Sequence, residues 1–188
     1  MKVLCLHGSS SNKDKIIPYL LPIAKELKTQ GLSLHTVDAP FCIANENTPE
    51  RKLSWLPQAS FDLEPAYNRV AKVWDSSYAG ILAFSMGSFV AATVSSRLNP
   101  LPRFIIVIGG LSPVFVNPED LPLDLFCSFK NPSLNVVGNG DKTNNAEHNK
   151  QVALKMNSTL LEFDGGHVIP NDAETVLKIA EWVKSLQE

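Results

Sequence analysis

The sequence predicts an α/β protein whose core is a doubly wound, mainly parallel sheet of about six strands with helices on both faces. Short apolar runs, which are typical of strands buried on both sides, alternate along the chain with longer segments of helical periodicity. No repeat, low-complexity tract or linker interrupts the 188 residues, a length that one domain accommodates. We therefore expect residues 1–188 to form a single domain.

Apolar runs predict the strands, and apolar residues at helical spacing predict the helices between them. In chain order the predicted elements are a strand over 2–6, a helix over 16–30, a strand over 32–37, a helix from Asp62, a strand over 78–84, a helix over 86–98, strands over 104–108 and 134–137, a helix over 147–156, a strand over 159–163 and a final helix. Pro18 and Pro22 restrict the start of the first helix, and Gly31 ends it. Asn171 and Glu174 have the spacing of a capping box for the last helix.

Two segments lack a sustained period and are predicted to be loops. Residues 38–59 contain three prolines, and residues 109–127 separate two buried strands. Long loops in compact domains commonly carry function. Because ligands of doubly wound sheets bind beyond the carboxyl ends of the strands, we expect these loops to border the functional site.

Composition narrows the classes of function. The formal charge of −2 gives no basic field for nucleic acid or an anionic membrane. No apolar run is long enough for a secretory signal or a membrane span, so we expect a soluble cytoplasmic protein. Cys5, Cys42 and Cys127 are unclustered and odd in number, which predicts reduced thiols rather than a disulfide framework or a zinc site.

The stretch "ILAFSMGSFVAA", residues 81–92, places Ser85 where a predicted strand meets a predicted helix. A chain that reverses within one residue forces the serine into a sparsely populated backbone conformation, and side chains two positions away nearly collide. Ala83 and Gly87 remove that collision. Ser85 is therefore the candidate nucleophile, and a serine that only caps the helix is the alternative.

A serine hydroxyl attacks efficiently only when a base takes its proton and an acid orients that base. His167 directly follows the last predicted strand, whereas His148 lies at a polar helix start and is expected to be solvated. We predict His167 as the base. Asp141, after the penultimate predicted strand, is favoured as the acid over Asp164, which lies three residues from His167 and more easily bonds its own loop.

Two backbone amides are predicted to form an oxyanion hole, which stabilises negative charge on the reacting substrate. The Met86 amide lies at a predicted helix N-terminus directly after Ser85. The Ser9 amide follows Gly8 at the end of the first strand, at the same sheet edge. We expect His7 to hold this loop by hydrogen bonds, with a ring that also lines the substrate site.

Five motifs together resemble those of the FSH serine hydrolases: "KVLCLHGSSSN", "VDAPF", "GILAFSMGSFVAA", "GNGD" and "GGHVIP", in this order. The family comprises small α/β-hydrolases similar to ovarian-tumour-suppressor-candidate hydrolases and fungal polyketide-releasing thioesterases, and the resemblance covers essentially the whole chain. It implies the α/β-hydrolase fold and an esterase or thioesterase activity through Ser85, Asp141 and His167. It also implies that no cofactor or metal is needed.

The chain departs from the family pattern at two positions of the serine motif. Ala83 replaces a glycine, and Met86 replaces a common glutamine. The second change is tolerable because only the backbone amide of that residue is required. The chain is also short for the group, so we expect a minimal lid, limited to residues 110–126.

The loops at the strand ends are expected to supply an apolar wall for an acyl chain. Phe41 and Trp55 come from the first long loop, and Phe115 comes from the second. No cluster of Arg or Lys lies beside the motifs, so phosphate-rich head groups are not predicted. The expected partner is a small-molecule acyl ester or thioester. Nothing in the sequence specifies its chain length, its leaving group or an oligomeric state.

Three other hypotheses stay open at this point. The first is an acyltransferase on the same scaffold, which excludes water and transfers the acyl group to a second alcohol. Cys42 is an alternative nucleophile, although it lies in a loop without strand-to-helix geometry and has no evident group to stabilise a thiolate. The third is a non-catalytic binding protein on the same scaffold, and the presence of all three triad residues argues against it.

Overall fold

The structure is a computed structural model and describes residues 1–43, 51–57, 62–110 and 130–187. Within these ranges the strands and helices, labelled in chain order, are β1 (Lys2–Leu6), α1 (Lys13–Thr29), β2 (Ser33–Val37), β3 (Phe41–Cys42), β4 (Leu53–Ser54), α2 (Glu64–Ala71), β5 (Tyr78–Phe84), α3 (Met86–Val94), β6 (Phe104–Ile108), β7 (Ser133–Gly138), α4 (Ala146–Lys155), β8 (Thr159–Phe163) and α5 (Ala173–Ser185). A 3₁₀ turn, Ser95–Arg97, follows α3.

Six strands form one sheet in the order β2-β1-β5-β6-β7-β8, and every pair of neighbours is parallel. The order runs outward from β1 in both directions, which confirms the predicted doubly wound arrangement. The inner strands β5, β6 and β7 are buried along almost their whole length because helices cover both faces of the sheet. The carboxyl ends of all six strands therefore lie along one edge.

Two hydrophobic clusters, one on each face of the sheet, hold the helices against it. One cluster includes residues of α2, α3 and α4, such as Val152. In the other, α1 and α5 bury side chains at helical spacing, such as Leu20 and Ile23. Successive residues of a strand point to opposite faces, so Leu4 belongs to the first cluster and Cys5 to the second.

Helix α1 starts three residues before its predicted start, at Lys13. The Asn12 side chain accepts the backbone N–H groups of Asp14 and Lys15, which are otherwise without partners at a helix start. The first residues of the helix are polar, so they show no apolar periodicity and were not included in the predicted helix. The predicted first residue was therefore wrong, although the helix itself is confirmed.

The last helix begins on a different cap from the predicted one. α5 starts at Ala173, and the Asp172 side chain accepts the Thr175 N–H at 2.8 Å. The predicted capping role of Asn171 is therefore wrong. Asp172, one residue later, supplies the side-chain oxygen that accepts a hydrogen bond from a backbone N–H in the first turn of the helix.

The segment predicted as the first long loop contains a short hairpin. Phe41 pairs with Ser54 and Cys42 pairs with Leu53 in antiparallel register. Ser11 also forms a bridge with Leu53, which ties the hairpin to the turn after β1. Strands of two residues carry no readable periodicity, so the sequence did not predict them.

Part of the predicted site lies outside the described residues. Residues 111–129 include Phe115, Cys127 and most of the predicted lid over 110–126. In the ranges that the structure does describe, no helix is both long and apolar enough to cross a membrane.

Candidate active site

A sharp turn between β5 and α3 carries Ser85. Its backbone angles, φ 54° and ψ −121°, lie in a region that residues other than glycine rarely adopt. Two backbone hydrogen bonds hold this turn. The Ser85 N–H donates to the Ile108 carbonyl oxygen at 2.9 Å, and the Ser85 carbonyl oxygen accepts the Ser88 N–H at 2.8 Å. The turn has the strand-to-helix geometry of a nucleophile elbow.

Small residues allow α3 to approach the end of β1. A β-carbon added to Gly87 would lie 2.6 Å from the Leu6 carbonyl oxygen and 2.7 Å from that of His7. Any side chain at this position would therefore push α3 away from the sheet. Ala83 is fully buried between β1 and β6, where its register partners are Leu6 and Val107. A larger side chain at either position would displace the elbow.

Ser88, which the sequence argument missed, braces the elbow from inside. Its buried Oγ lies 3.0 Å from the carbonyl oxygens of Ala83 and Ile108, and it accepts the Ile108 N–H at 3.2 Å. These contacts tie β5 to β6 through the first turn of α3. A serine in a buried, apolar helix needs hydrogen-bond partners for its hydroxyl, so this position could have indicated a bracing role from the sequence.

Three side chains from three strand ends form one hydrogen-bonded chain. Ser85 Oγ lies 2.9 Å from His167 Nε2, and His167 Nδ1 lies 2.8 Å from Asp141 Oδ2. With its proton on Nδ1, the His167 ring donates to the carboxylate and accepts the serine hydroxyl. This is the order of contacts in a Ser-His-Asp triad.

Asp141 is held by its own turn. Its Oδ1 accepts the backbone N–H groups of Thr143 and Asn144, each at 2.9 Å, which leaves Oδ2 for His167. The Asp141 side chain is 1% exposed, whereas Asp164 is an exposed residue. Of the two candidate acids, the structure brings Asp141 to the histidine.

Two residues that the sequence argument did not select pack against the His167 ring. The ring centroids of Phe84 and His167 are 5.0 Å apart. Gly109, with φ 70°, comes so close that an added β-carbon would lie 3.2 Å from His167 Cε1. The glycine pair directly after β6 could have indicated this close approach of the backbone to the site.

His7 is fully buried and takes no part in this chain. Its Nδ1 lies 2.7 Å from the Gly8 carbonyl oxygen, its Nε2 accepts the Ala39 N–H at 3.1 Å, and its own carbonyl oxygen accepts the Trp55 indole N–H at 2.8 Å. Burial lowers the pKa of His7 below the usual 6.5, against the opposing effects of the Gly8 hydrogen bond and the Asp38 charge. The ring is thus a neutral tie between loops, and it presents no surface to a substrate.

The aromatic residues predicted to bind substrate lie in different surroundings. Trp55 is fully buried in the core beside β4, because its large apolar ring packs there while its N–H reaches the His7 carbonyl. It therefore supports the loops instead of lining a site. Phe41 is half-buried on β3 and is not among the described residues that border the cavity beside Ser85. Its role and that of Phe115 stay predictions.

The two amides predicted to form the oxyanion hole belong to residues close to Ser85. Met86 is the first residue of α3, where backbone N–H groups have no partner within the helix. Ser9 borders the same cavity as Ser85. A β-carbon added to Gly8 would lie 3.2 Å from Ser85 Cβ, so the loop runs directly beside the serine. The charge-stabilising role of both amides stays a prediction.

A cavity of about 350 Å³ opens beside Ser85 and His167. Its other described walls come from the loop after β1, the first turns of α1, the end of β5 and the residues that follow His167. Lys15, Ile16 and Tyr19 line the α1 side, and the sequence argument selected none of them. No sequence pattern marks them, because the contribution of a helix to a cavity depends on how it packs.

Metal and thiol chemistry have little support among the described residues. Within these ranges, no group of three or more His, Cys, Asp or Glu side chains is arranged to hold a metal ion. Cys5 and Cys42 are free thiols. Burial raises the pKa of Cys5 to about 12, which keeps this thiol neutral, and Cys42 is exposed on β3. Neither belongs to the hydrogen-bonded chain of Ser85.

The parallel sheet and the serine elbow at its carboxyl edge define the class as an α/β hydrolase. The family model described as "Serine hydrolase (FSH1)" matches residues 1–179. The chain belongs to this family, in agreement with the motifs of its sequence.

Two named relatives are similar to this chain. "Esterase OVCA2" of Mus musculus is 33% identical over 119 residues, which cover 57% of this chain and only half (50%) of the mouse protein. "Hydrolase phiM" of a fungal species is 29% identical over 198 residues, which cover 95% of this chain and 91% of that protein.

Solved structures share the fold at low sequence identity. SOBER1 of Arabidopsis thaliana superposes with a TM-score of 0.72 at 16% identity, over 100% of this chain and 99% of that one. Est1E of Butyrivibrio proteoclasticus, solved with ferulic acid bound, gives a TM-score of 0.71 at 12% identity, over 99% and 89% of the two chains. At these identities the likeness is evidence of the fold alone.

Proposed function

We propose that the protein hydrolyses carboxylic esters or thioesters of an acyl substrate through a covalent acyl-enzyme on Ser85. The observation that carries the proposal is the hydrogen-bonded chain from Asp141 Oδ2 through His167 to Ser85 Oγ, with links of 2.8 and 2.9 Å. Membership of a serine hydrolase family and relatives named as an esterase and a hydrolase support it. We expect the cavity beside Ser85 to receive the substrate.

The first half of the reaction transfers the acyl group to the enzyme. Ser85 Oγ attacks the carbonyl carbon while its proton passes to His167 Nε2. We assign the resulting oxyanion to the Met86 and Ser9 amides. His167 then gives the proton to the departing oxygen or sulfur as its bond to the acyl carbon breaks. An alcohol or thiol leaves, and the acyl group stays on Ser85.

The second half repeats these steps with water. His167 takes a proton from a water molecule, whose oxygen attacks the acyl carbon. The bond to Ser85 Oγ then breaks, the serine regains its proton from His167, and a carboxylic acid is released. The role of Asp141 throughout is to hold the ring tautomer and to stabilise the imidazolium.

A fluorophosphonate probe tests the assignment of the nucleophile. We expect the wild type and a Ser33→Ala control, which changes an exposed serine on β2, to be labelled equally. Ser85→Ala should lose the label and should turn over esters several orders of magnitude more slowly. Labelling that persists in Ser85→Ala would contradict the proposal.

A substrate panel distinguishes the two bonds that the site could cleave. p-Nitrophenyl esters and acyl-CoA thioesters of matched, increasing chain length should be assayed with the wild type and with Ser85→Ala. We expect release of free carboxylic acid that depends on Ser85. Transfer of the acyl group to an added alcohol, without free acid, would indicate an acyltransferase instead.

A further inference from the structure

The turn that carries Asp141 contains a second buried polar side chain, that of Asn144. Asn144 is 4% exposed, and its backbone N–H donates to Asp141 Oδ1 at 2.9 Å. Its side-chain Nδ2 donates to the Gly109 carbonyl oxygen at 2.6 Å. One residue therefore joins the candidate acid to the segment that directly follows β6.

Gly109 supports one side of the His167 ring. A β-carbon added to Gly109 would lie 3.2 Å from His167 Cε1 and 3.0 Å from Phe84 Cε2, so the glycine backbone lies close against both rings. The Gly109 N–H donates to the Val136 carbonyl oxygen on β7 at 3.2 Å, and its carbonyl oxygen accepts the Asn144 side chain. Both backbone polar groups of Gly109 are therefore fixed, and with them the surface on which the His167 ring rests.

Asn149 on α4 fixes Asn144 in turn. Asn149 is 1% exposed, and its Nδ2 donates to the Asn144 carbonyl oxygen at 3.0 Å. Its side chain also lies so close to Gly110 that a β-carbon added to this glycine would come within 2.3 Å of Nδ2. Because a buried polar group without a partner costs free energy, these hydrogen bonds hold the segments after β6 and β7 in one arrangement.

We propose that Asn144 is a positioning residue of the candidate triad. It acts through two other residues: its backbone N–H orients the Asp141 carboxylate, and its side chain holds Gly109 against the His167 ring. Asn144 is not among the described residues that border the cavity, so this role involves no contact with substrate. The role rests on the proposed hydrolysis at Ser85, because it concerns the geometry of the same hydrogen-bonded chain.

Asn144→Ala is the informative variant, and Asn145→Ala is its matched control. Asn145 is the adjacent, exposed asparagine, and its Oδ1 accepts the His148 N–H at 3.2 Å as the cap of α4. With p-nitrophenyl acetate, we expect Asn144→Ala to lower kcat by about 10- to 100-fold and to change KM by less than about twofold, because a misplaced catalytic group destabilises the transition state. Asn145→Ala should keep the wild-type kcat and KM and should only unfold at a lower temperature.

Two acetate esters distinguish a positioning role from a merely structural one. p-Nitrophenoxide departs readily without a proton, whereas an alkoxide needs the proton that His167 supplies in the proposed mechanism. We therefore expect kcat/KM of Asn144→Ala to fall about three- to tenfold further for ethyl acetate than for p-nitrophenyl acetate. Partial unfolding would lower both values by the same factor, because it reduces only the amount of active enzyme.

The outcomes separate this inference from the proposed function. A near-normal kcat in Asn144→Ala, an equal fall for the two esters, or the same fall in Asn145→Ala would overturn the inference alone. If Asn144→Ala does not fold, Asn144→Ser replaces it with the same expected results, and failure of both variants to fold would overturn the inference because the residue would then be structural. Absence of hydrolysis of both esters by the wild type would overturn the proposed function together with this inference.

Discussion

Two histidines follow parallel strands at the same edge of the sheet, and their surroundings differ completely. His167, after β8, contacts a carboxylate through one ring nitrogen and a serine hydroxyl through the other. His7, after β1, has both ring nitrogens next to backbone groups of its own and the neighbouring loop. One side chain borders a cavity, and the other has no exposed surface.

The groups around an imidazole decide what it can do. In the proposed mechanism, His167 exchanges a proton with Ser85, and Asp141 stabilises the charged ring that this exchange creates. His7 has no such partner, and burial lowers its pKa, so its neutral form is a structural tie. We therefore expect changes at His167 to affect the rate and changes at His7 to affect stability.

The largest expected effect tests this division directly. His167→Ala should lower kcat/KM for a p-nitrophenyl ester by about 10⁵- to 10⁶-fold, because the serine loses its base. Thermal unfolding monitored by circular dichroism should show a folded protein. A residual rate within a hundredfold of the wild type would assign the base to another group.

Asp141→Asn should have the next largest effect, about 10⁴-fold in kcat, because an amide no longer orients and stabilises the charged ring. Asp164→Asn is the matched control, because it makes the same chemical change at an exposed position three residues before His167. The control should keep the wild-type rate. A rate loss in Asp164→Asn with a near-normal Asp141→Asn would reverse the assignment of the acid.

Trp55→Phe tests whether the residues around His7 have a structural role and do not contact substrate. The change removes the donor to the buried His7 carbonyl and leaves a small cavity, so the free energy of unfolding should fall by about 1–3 kcal/mol. Urea denaturation measures this change. The relative rates for short and long acyl esters should stay the same, and a shifted chain-length profile would show that Trp55 contacts substrate.

The smallest expected effect is a change in the pH dependence of the free energy of unfolding, caused by His7. Its pKa is lower in the folded protein than the usual 6.5, so the unfolded chain binds more protons as the pH falls below that value. The contribution of His7 to the free energy of unfolding is therefore complete above pH 6.5. It is lost as the pH falls toward the lower pKa of the folded state. Urea denaturation at several pH values should show a weaker acid-side decline in His7→Gln, and an unchanged slope would contradict the neutral, buried assignment.

Buried strands could be predicted well from the sequence, and helix starts less well. The strands over 78–84 and 104–108 have their predicted bounds because both are continuous apolar runs covered by helices on two faces. The start of α1 could not be found from periodicity, since its first turn is polar and depends on Asn12 as a cap.

The candidate triad could be predicted because each member lies within a few residues of the carboxyl end of a strand in a parallel sheet. That position places side chains distant in sequence at one edge. The substrate cavity could not be predicted in the same way. Its α1 wall, with Lys15 and Tyr19, results from how α1 packs beside the loop that follows His167.

By itself the sequence determined the alternation of strands and helices, the elbow at Ser85 and the order of serine, acid and histidine. These features are local, because they depend on apolar runs, small residues and residues next to strand ends. The sealing of His7 and the position of the cavity were decided by tertiary packing. Those outcomes depend on distances between segments far apart in the chain, and such distances arise only when the helices pack on the sheet.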